Sequence, residues 1–146
     1  MALKRRIAAA AMGLGFLWLG VSLAAPRDEK FHTRLAPVPM DASMRATVAG
    51  TGSATAVLTG AKLAINGTFE GLRTPATAAH LHLSRVAGVR GPAVFELTVA
   101  HTTSGAVSGS FDLSADQVDS LRKGRFYIQI QSEKAPDGNL WGWLMH

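Results

Sequence analysis

What most limits the fold of this chain is the rhythm of its apolar residues. Short runs with alternating or β-branched character recur at close spacing, over residues 45–48, 53–58, 63–69, 77–83, 94–99, 106–113, 125–132 and 140–145. Turn-forming residues separate them: Gly50-Thr51-Gly52, Thr59-Gly60, Gly71, Gly91-Pro92, Ser104-Gly105 and Pro136-Asp137-Gly138-Asn139. Alternation of period two marks strands with one buried face, and many such strands with turns between them predict an all-β domain. The expected architecture is an antiparallel β-sandwich, immunoglobulin-like or a similar Greek key. Asn66-Gly67 fits either a tight hairpin turn or a kink inside one longer strand. Asn66-Gly67-Thr68 is also an N-glycosylation sequon, relevant only in a host that glycosylates exported proteins.

One segment breaks the pattern. Ser114-Ala115-Asp116-Gln117 is a capping box, Val118 and Leu121 follow at helical spacing, and Gly124 closes the unit. A short helix of about two turns is expected there, before the penultimate strand, plugging one end of the core.

The N-terminus has a different character. Lys4-Arg5-Arg6 precedes an apolar run from Ile7 to Ala25, which ends in small residues suited to cleavage after Ala24. Residues 1–25 therefore read as a secretory signal peptide, or, if uncleaved, as an N-terminal membrane anchor. Either reading exports the rest, to the periplasm or outside the cell. Residues 26–43, punctuated by Pro26, Pro37 and Pro39, are expected to be a linker or a loose first strand, and 44–146 a single sandwich domain. Without the first 25 residues the basic count falls from 15 to 12 against 10 acids, so the net charge drops from +5 to +2. No Lys/Arg cluster remains to neutralise a row of phosphates, which argues against nucleic acid as a partner. With no cysteines, disulfides and thiolate metal sites are excluded, and ~120 residues must be held by their core.

Strand parity separates the two faces of the sheet. In 125–132 the apolar set is Phe126, Ile128 and Ile130, leaving Tyr127, Gln129 and Gln131 opposite. In 77–83, Leu81 and Leu83 oppose His80 and His82; in 94–100, Phe95, Leu97 and Val99 oppose Glu96 and Thr98. In the last strand Leu140, Gly142 and Leu144 oppose Trp141 and Trp143. The outer face thus gathers His80, His82, Glu96, Tyr127, Gln129, Gln131, Trp141 and Trp143, a set rich in groups able to bind a partner. None of it is needed for the core on this reading, although cross-strand aromatic pairs and a covering segment 26–43 would give the same residues a structural use.

The order of short motifs carries a resemblance. Gly50-x-Gly52, Gly60, Phe69-x-Gly71-Leu72, Ala79-His80-Leu81-His82, Gly91-Pro92-x-Val94, Gly105, Gly109-x-Phe111-x-Leu113, Leu121, Gly124, Tyr127-Ile128-Gln129-Ile130 and Gly138-x-Leu140-x-Gly142 follow one another as in the CHRD domain. The chain resembles that module, which is repeated in chordin and found singly in exported bacterial proteins, from about Gly50 to Leu144. The resemblance implies an extracytoplasmic β-sandwich with no established catalytic activity; in chordin such domains belong to a protein that binds secreted growth factors. Two positions depart from the family pattern: Gln131 stands where a histidine is frequent, and Gly138-Asn139-Leu140-Trp141-Gly142-Trp143 replaces a common Gly-Glu-Ile-Arg-Gly-Gln.

Three chemistries compete for the face. His80 and His82, two residues apart on one strand, could coordinate Cu or Zn, with His101, His32 or His146 as a third ligand that no spacing places nearby. Catalysis lacks its parts: Ser84 neighbours His82, but no acid is tied to them, and Glu133 and Asp137 flank a turn. The expected activity is therefore non-catalytic binding of an envelope or extracellular protein, or of a saccharide. Tyr127, Trp141 and Trp143 would be the rigid anchors, with Gln129, Gln131, His80 and His82 as polar contacts. A membrane enters only if the N-terminal segment stays uncleaved.

Overall fold

The computed structural model describes residues 20, 22–37 and 41–146, so most of the expected signal segment lies outside the described residues. Its elements are β1 (Asp28–Pro37), a 3-10 turn (Ser43–Ala46), β2 (Thr51–Thr59), β3 (Lys62–Glu70), β4 (Ala76–Leu83) and β5 (Ala93–Val99), followed by β6 (Gly105–Asp112), α1 (Ala115–Arg122), β7 (Phe126–Ser132) and β8 (Ala135–Trp143). The strand pairs are all antiparallel and run in the order β1-β2-β3-β6-β5-β4-β7-β8, with β8 returning to β1. The all-β class and the single helix before β7 agree with the sequence.

The expected sandwich is corrected to a closed eight-stranded barrel. Two strands make the difference by joining β2, β3 and β6 on one side to β4, β7 and β8 on the other. Residues 28–35 of β1 pair with β2, and then Ala36 and Pro37 cross to face Trp141 and Leu140 of β8. At the other corner β5 pairs with β4 and then passes to β6 through Thr98 and Val99. The segment expected as a linker or loose first strand thus supplies the strand that closes the wall. Among the described residues, closure leaves no open sheet edge to template association.

Parity behaves as the alternation demands. Phe31 and Leu35 of β1, Ala56 and Leu58 of β2, Leu63 and Ile65 of β3, Leu81 of β4, Phe126, Ile128 and Ile130 of β7 and Leu140 of β8 fill the interior with essentially no exposure. Fully burying such a side chain contributes about 1.5–3 kcal/mol. The capping box of α1 is formed, with Ser114 Oγ accepting from the Gln117 backbone and the Gln117 side chain accepting from the Ser114 backbone. Its Leu121 is fully buried against the barrel core, with Val118 packed beside it.

Two local expectations are corrected, and one open alternative is decided for the longer strand. Residues 45–48 form no strand; the 3-10 turn stands there. Pro136–Asn139 is not the last turn, because the chain reverses at Glu133-Lys134 and β8 begins at Ala135. Asn66-Gly67 lies inside β3, where Gly67 faces Ala54 on one side and Val107 on the other. A Cβ on Gly67 would meet the Ser53 carbonyl and Ala54, so the glycine serves close strand approach rather than a turn.

Candidate functional site

Strands β4, β7 and β8 lie side by side, and their register brings the outward residues into two rows. His80 faces Gln129, which faces Trp141; His82 faces Tyr127, which faces Trp143. Glu96 of β5 extends the first row beyond His80. Gln131 faces Ala78 one step further along β4, so all eight residues singled out by the sequence share one face, as parity predicts.

The face is not open, however. Tyr127 is 1% exposed, Gln129 3%, and His82 and Trp141 9% each. The expectation that the core needs none of the outer set is corrected: Tyr127 is among the largest fully buried side chains in the molecule. Residues 28–37 of the segment expected as a cover belong to the barrel wall as β1. The cover is the loop between β4 and β5. Tyr127 Oη accepts from the Gly91 N–H at 3.0 Å and donates to the Gly91 carbonyl at 2.9 Å, so one hydroxyl holds both backbone groups of one residue. The same carbonyl accepts from His82 Nδ1 at 2.9 Å. Arg90 lies over the Trp141 ring with its Cζ 4.6 Å from the centroid, and its guanidinium donates to the Asp137 carbonyl.

Beneath that cover the rings form a continuous stack. His82 packs on Tyr127 at 4.7 Å between centroids, Tyr127 on Trp141 at 5.2 Å, and Trp143 tilts against Tyr127 at 4.5 Å. Such pairs add about 0.5–1.5 kcal/mol each beyond their area. Gln129 Nε2 donates to the Asp137 carbonyl at 2.6 Å, tying β7 to the start of β8. Gly138, at φ +128°, sits against this arrangement; a Cβ there would collide with Gln129 Nε2 and Trp141 Nε1. At the margin His80, Gln131 and Trp143 stay half-buried, with His80 Nδ1 3.2 Å from Gln131 Oε1.

A model of the CHRD domain family matches residues 34–144. The chain belongs to the CHRD family. No curated protein and no solved structure matches it. The match begins inside β1 and ends just past β8, so it takes in β8 and the end of β1 that pairs with it.

Burial sets the protonation of His82 in this CHRD domain. Burial holds the His82 imidazole below its ordinary pKa; the Gly91 carbonyl acts in the opposite sense, and the positive charge of His80 and Arg90 adds to the lowering. His82 is thus a neutral ring near pH 7. A carbonyl only accepts, so Nδ1 carries its proton and Nε2 its lone pair. That Nε2 is buried and meets no donor, and the buried Trp141 Nε1 meets no acceptor. As metal ligands, only His80 and His82 are adjacent, their ring centroids 6.1 Å apart and their planes at 84°. Among the described residues no group of three His, Cys, Asp or Glu side chains gathers around a common point. The three candidate third ligands are engaged or distant: His32 contacts Thr55, His146 packs on Phe31 and His101 lies exposed beyond the end of β5.

Ser84 is committed to its own loop. Its Oγ donates to the Val86 carbonyl at 2.5 Å and accepts from the Val86 N–H at 3.1 Å. Two residues of the site escaped sequence reading. Arg90 precedes the visible Gly91-Pro92 turn but gives no sign that it reaches Trp141. Asn139, taken for a turn residue, is fully buried: its Oδ1 accepts from the Ala49 N–H at 3.1 Å and its Nδ2 donates to Ser132 Oγ at 2.9 Å. A polar residue between apolar neighbours in a strand was the one available signal.

Proposed function

We propose that this CHRD domain is an exported, non-catalytic binding module that meets an envelope or extracellular protein, or a saccharide, through the margin of the His, Gln and Trp face. The observation that carries this reading is the contrast within the face. His82, Tyr127, Gln129 and Trp141 are packed and hydrogen-bonded, while His80, Gln131 and Trp143 keep exposed surface on that rigid base. Aromatic and amide groups that are already ordered lose little conformational entropy when a partner docks. The N-terminal segment supports export, and its charged start followed by an apolar run matches a secretory leader.

The test is site-specific photo-cross-linking in cells. A photoreactive residue replaces Trp143, and in a control replaces Thr55 on the far wall of the barrel. Discrete adducts from position 143 alone, or retention on a glycan array lost in Trp143→Ala, support the reading. Equal adduct patterns at both positions with no glycan retention would sink it. Trp143→Ala should lower the unfolding midpoint by no more than a few degrees, since the half-buried ring contributes a contact with Tyr127 of about 0.5–1.5 kcal/mol and does not belong to the barrel interior.

A further inference from the structure

His82 Nε2 is a buried acceptor with no donor, in a protein whose other buried side-chain polar groups on this face, Trp141 Nε1 apart, are paired. Leaving such a group unpaired costs about 1–3 kcal/mol, so its position asks for an occupant. Its neighbour is prepared in the same way. His80 Nδ1 faces Gln131 Oε1, an acceptor, which places the His80 proton on Nδ1 and its lone pair on Nε2. Both imidazoles therefore have Nδ1–H anchored on an oxygen and Nε2 bare. Anchoring of one ring nitrogen by an oxygen is how proteins orient a histidine whose other nitrogen binds a metal.

The ligand count then selects the ion, and the ring spacing is compatible with it. With nitrogen–metal bonds of about 2 Å and roughly 1.1 Å from nitrogen to ring centre, two imidazoles on one ion have centroids about 5 Å apart at a tetrahedral angle and about 6.2 Å apart when linear. The rings here are 6.1 Å apart. Zinc in a structural site takes four ligands, and no third His, Cys, Asp or Glu joins the pair among the described residues. A linear pair of neutral nitrogens suits a soft d10 monovalent ion instead.

We propose that His80 and His82 bind monovalent copper as a two-coordinate site, each through Nε2, with the Gln131 amide oxygen and the Gly91 carbonyl holding the rings in place. The half-exposed His80 is the side from which the ion arrives, and His82 is the buried ligand. The site shares His80 and Gln131 with the docking margin but does not depend on the docking reading, since it leaves Trp143 unused and is read by metal uptake with no partner present.

The experiment is an anaerobic titration of the full chain with Cu(I) in competition with a chromogenic Cu(I) chelator. The expected result is one Cu(I) per chain, with affinity at least tenfold weaker in His80→Ala and in His82→Phe. The phenyl ring keeps the stack on Tyr127, so loss of binding there is not loss of fold; a circular dichroism melt of each variant checks this. His32→Ala, His101→Ala and His146→Ala should bind as the parent does. X-ray absorption of the loaded protein should show two nitrogen neighbours at about 2 Å. Unchanged binding in the His80→Ala/His82→Phe double variant, or no Cu(I) taken from the chelator by the parent, would overturn the proposal. Equal stoichiometric binding of Zn(II) would overturn the choice of ion. Cross-linking from position 143 is unaffected by either result, so the two readings fail separately.

Discussion

Tyr127 shows how much one atom can organise. Its hydroxyl satisfies both the N–H and the carbonyl of Gly91, which positions Arg90 over Trp141 and brings the same carbonyl to His82. Tyr127→Phe keeps the ring stack but leaves the Gly91 N–H without its partner, so a loss of about 1–3 kcal/mol in urea unfolding is expected, with faster amide exchange at Gly91. Gly138 is as sensitive for a different reason: its φ of +128° strains any side chain, and a Cβ would strike Gln129 and Trp141. Gly138→Ala should therefore cost about 2 kcal/mol or more, above the roughly 1 kcal/mol of backbone strain alone, measurable in the same titration. His82 sets a pH dependence. Its folded pKa lies below the ordinary value of about 6.5, so as pH falls through that value the unfolded chain binds the proton first and stability declines. The groups that face it are the Gly91 carbonyl, His80 and Arg90, the last two cationic when protonated and acting with burial. The melting temperature should drop from pH 6.5 toward pH 5 more steeply in the parent than in His82→Gln.

At the scale of elements, β1 is the piece whose role differs most from its appearance. In sequence it is proline-flanked and mixed in polarity, with only Phe31, His32 and Leu35 as anchors. In the fold Phe31 and Leu35 are fully buried, and the strand closes the wall by pairing with both β2 and β8. Phe31→Ala should cost about 3–5 kcal/mol, the range for a large aromatic removed from a packed core, and not the small loss of a loosely attached segment. Alternation could not reveal this, because β1 pairs with β8 over a separation of roughly one hundred residues and no local period encodes a partner so distant. The helix is the opposite case. Its capping box was written in four consecutive residues and is formed as written, since a cap is a contact between neighbours in the chain. Ser114→Ala should lower stability by about 1 kcal/mol, read in thermal unfolding.

For the molecule as a whole, closure at both corners makes two four-stranded halves into one cooperative unit. Unfolding followed by far-UV circular dichroism and by tryptophan fluorescence should give coincident curves; separated midpoints would mean that the β1–β8 and β5–β6 seams open first. The sequence by itself determined β2 to β8 as strands, the parity of β4, β5, β7 and β8, the helix and its cap, and the membership of the His, Gln and Trp face, because each follows from a local period or a contact between near neighbours. The tertiary structure decided that the sheet closes into a barrel, that β1 rather than a linker completes it, and that the β4–β5 loop buries most of the face. Those depend on pairings and covers between segments far apart in the chain, whose outcome rests on the summed fit of the whole core and not on any one stretch.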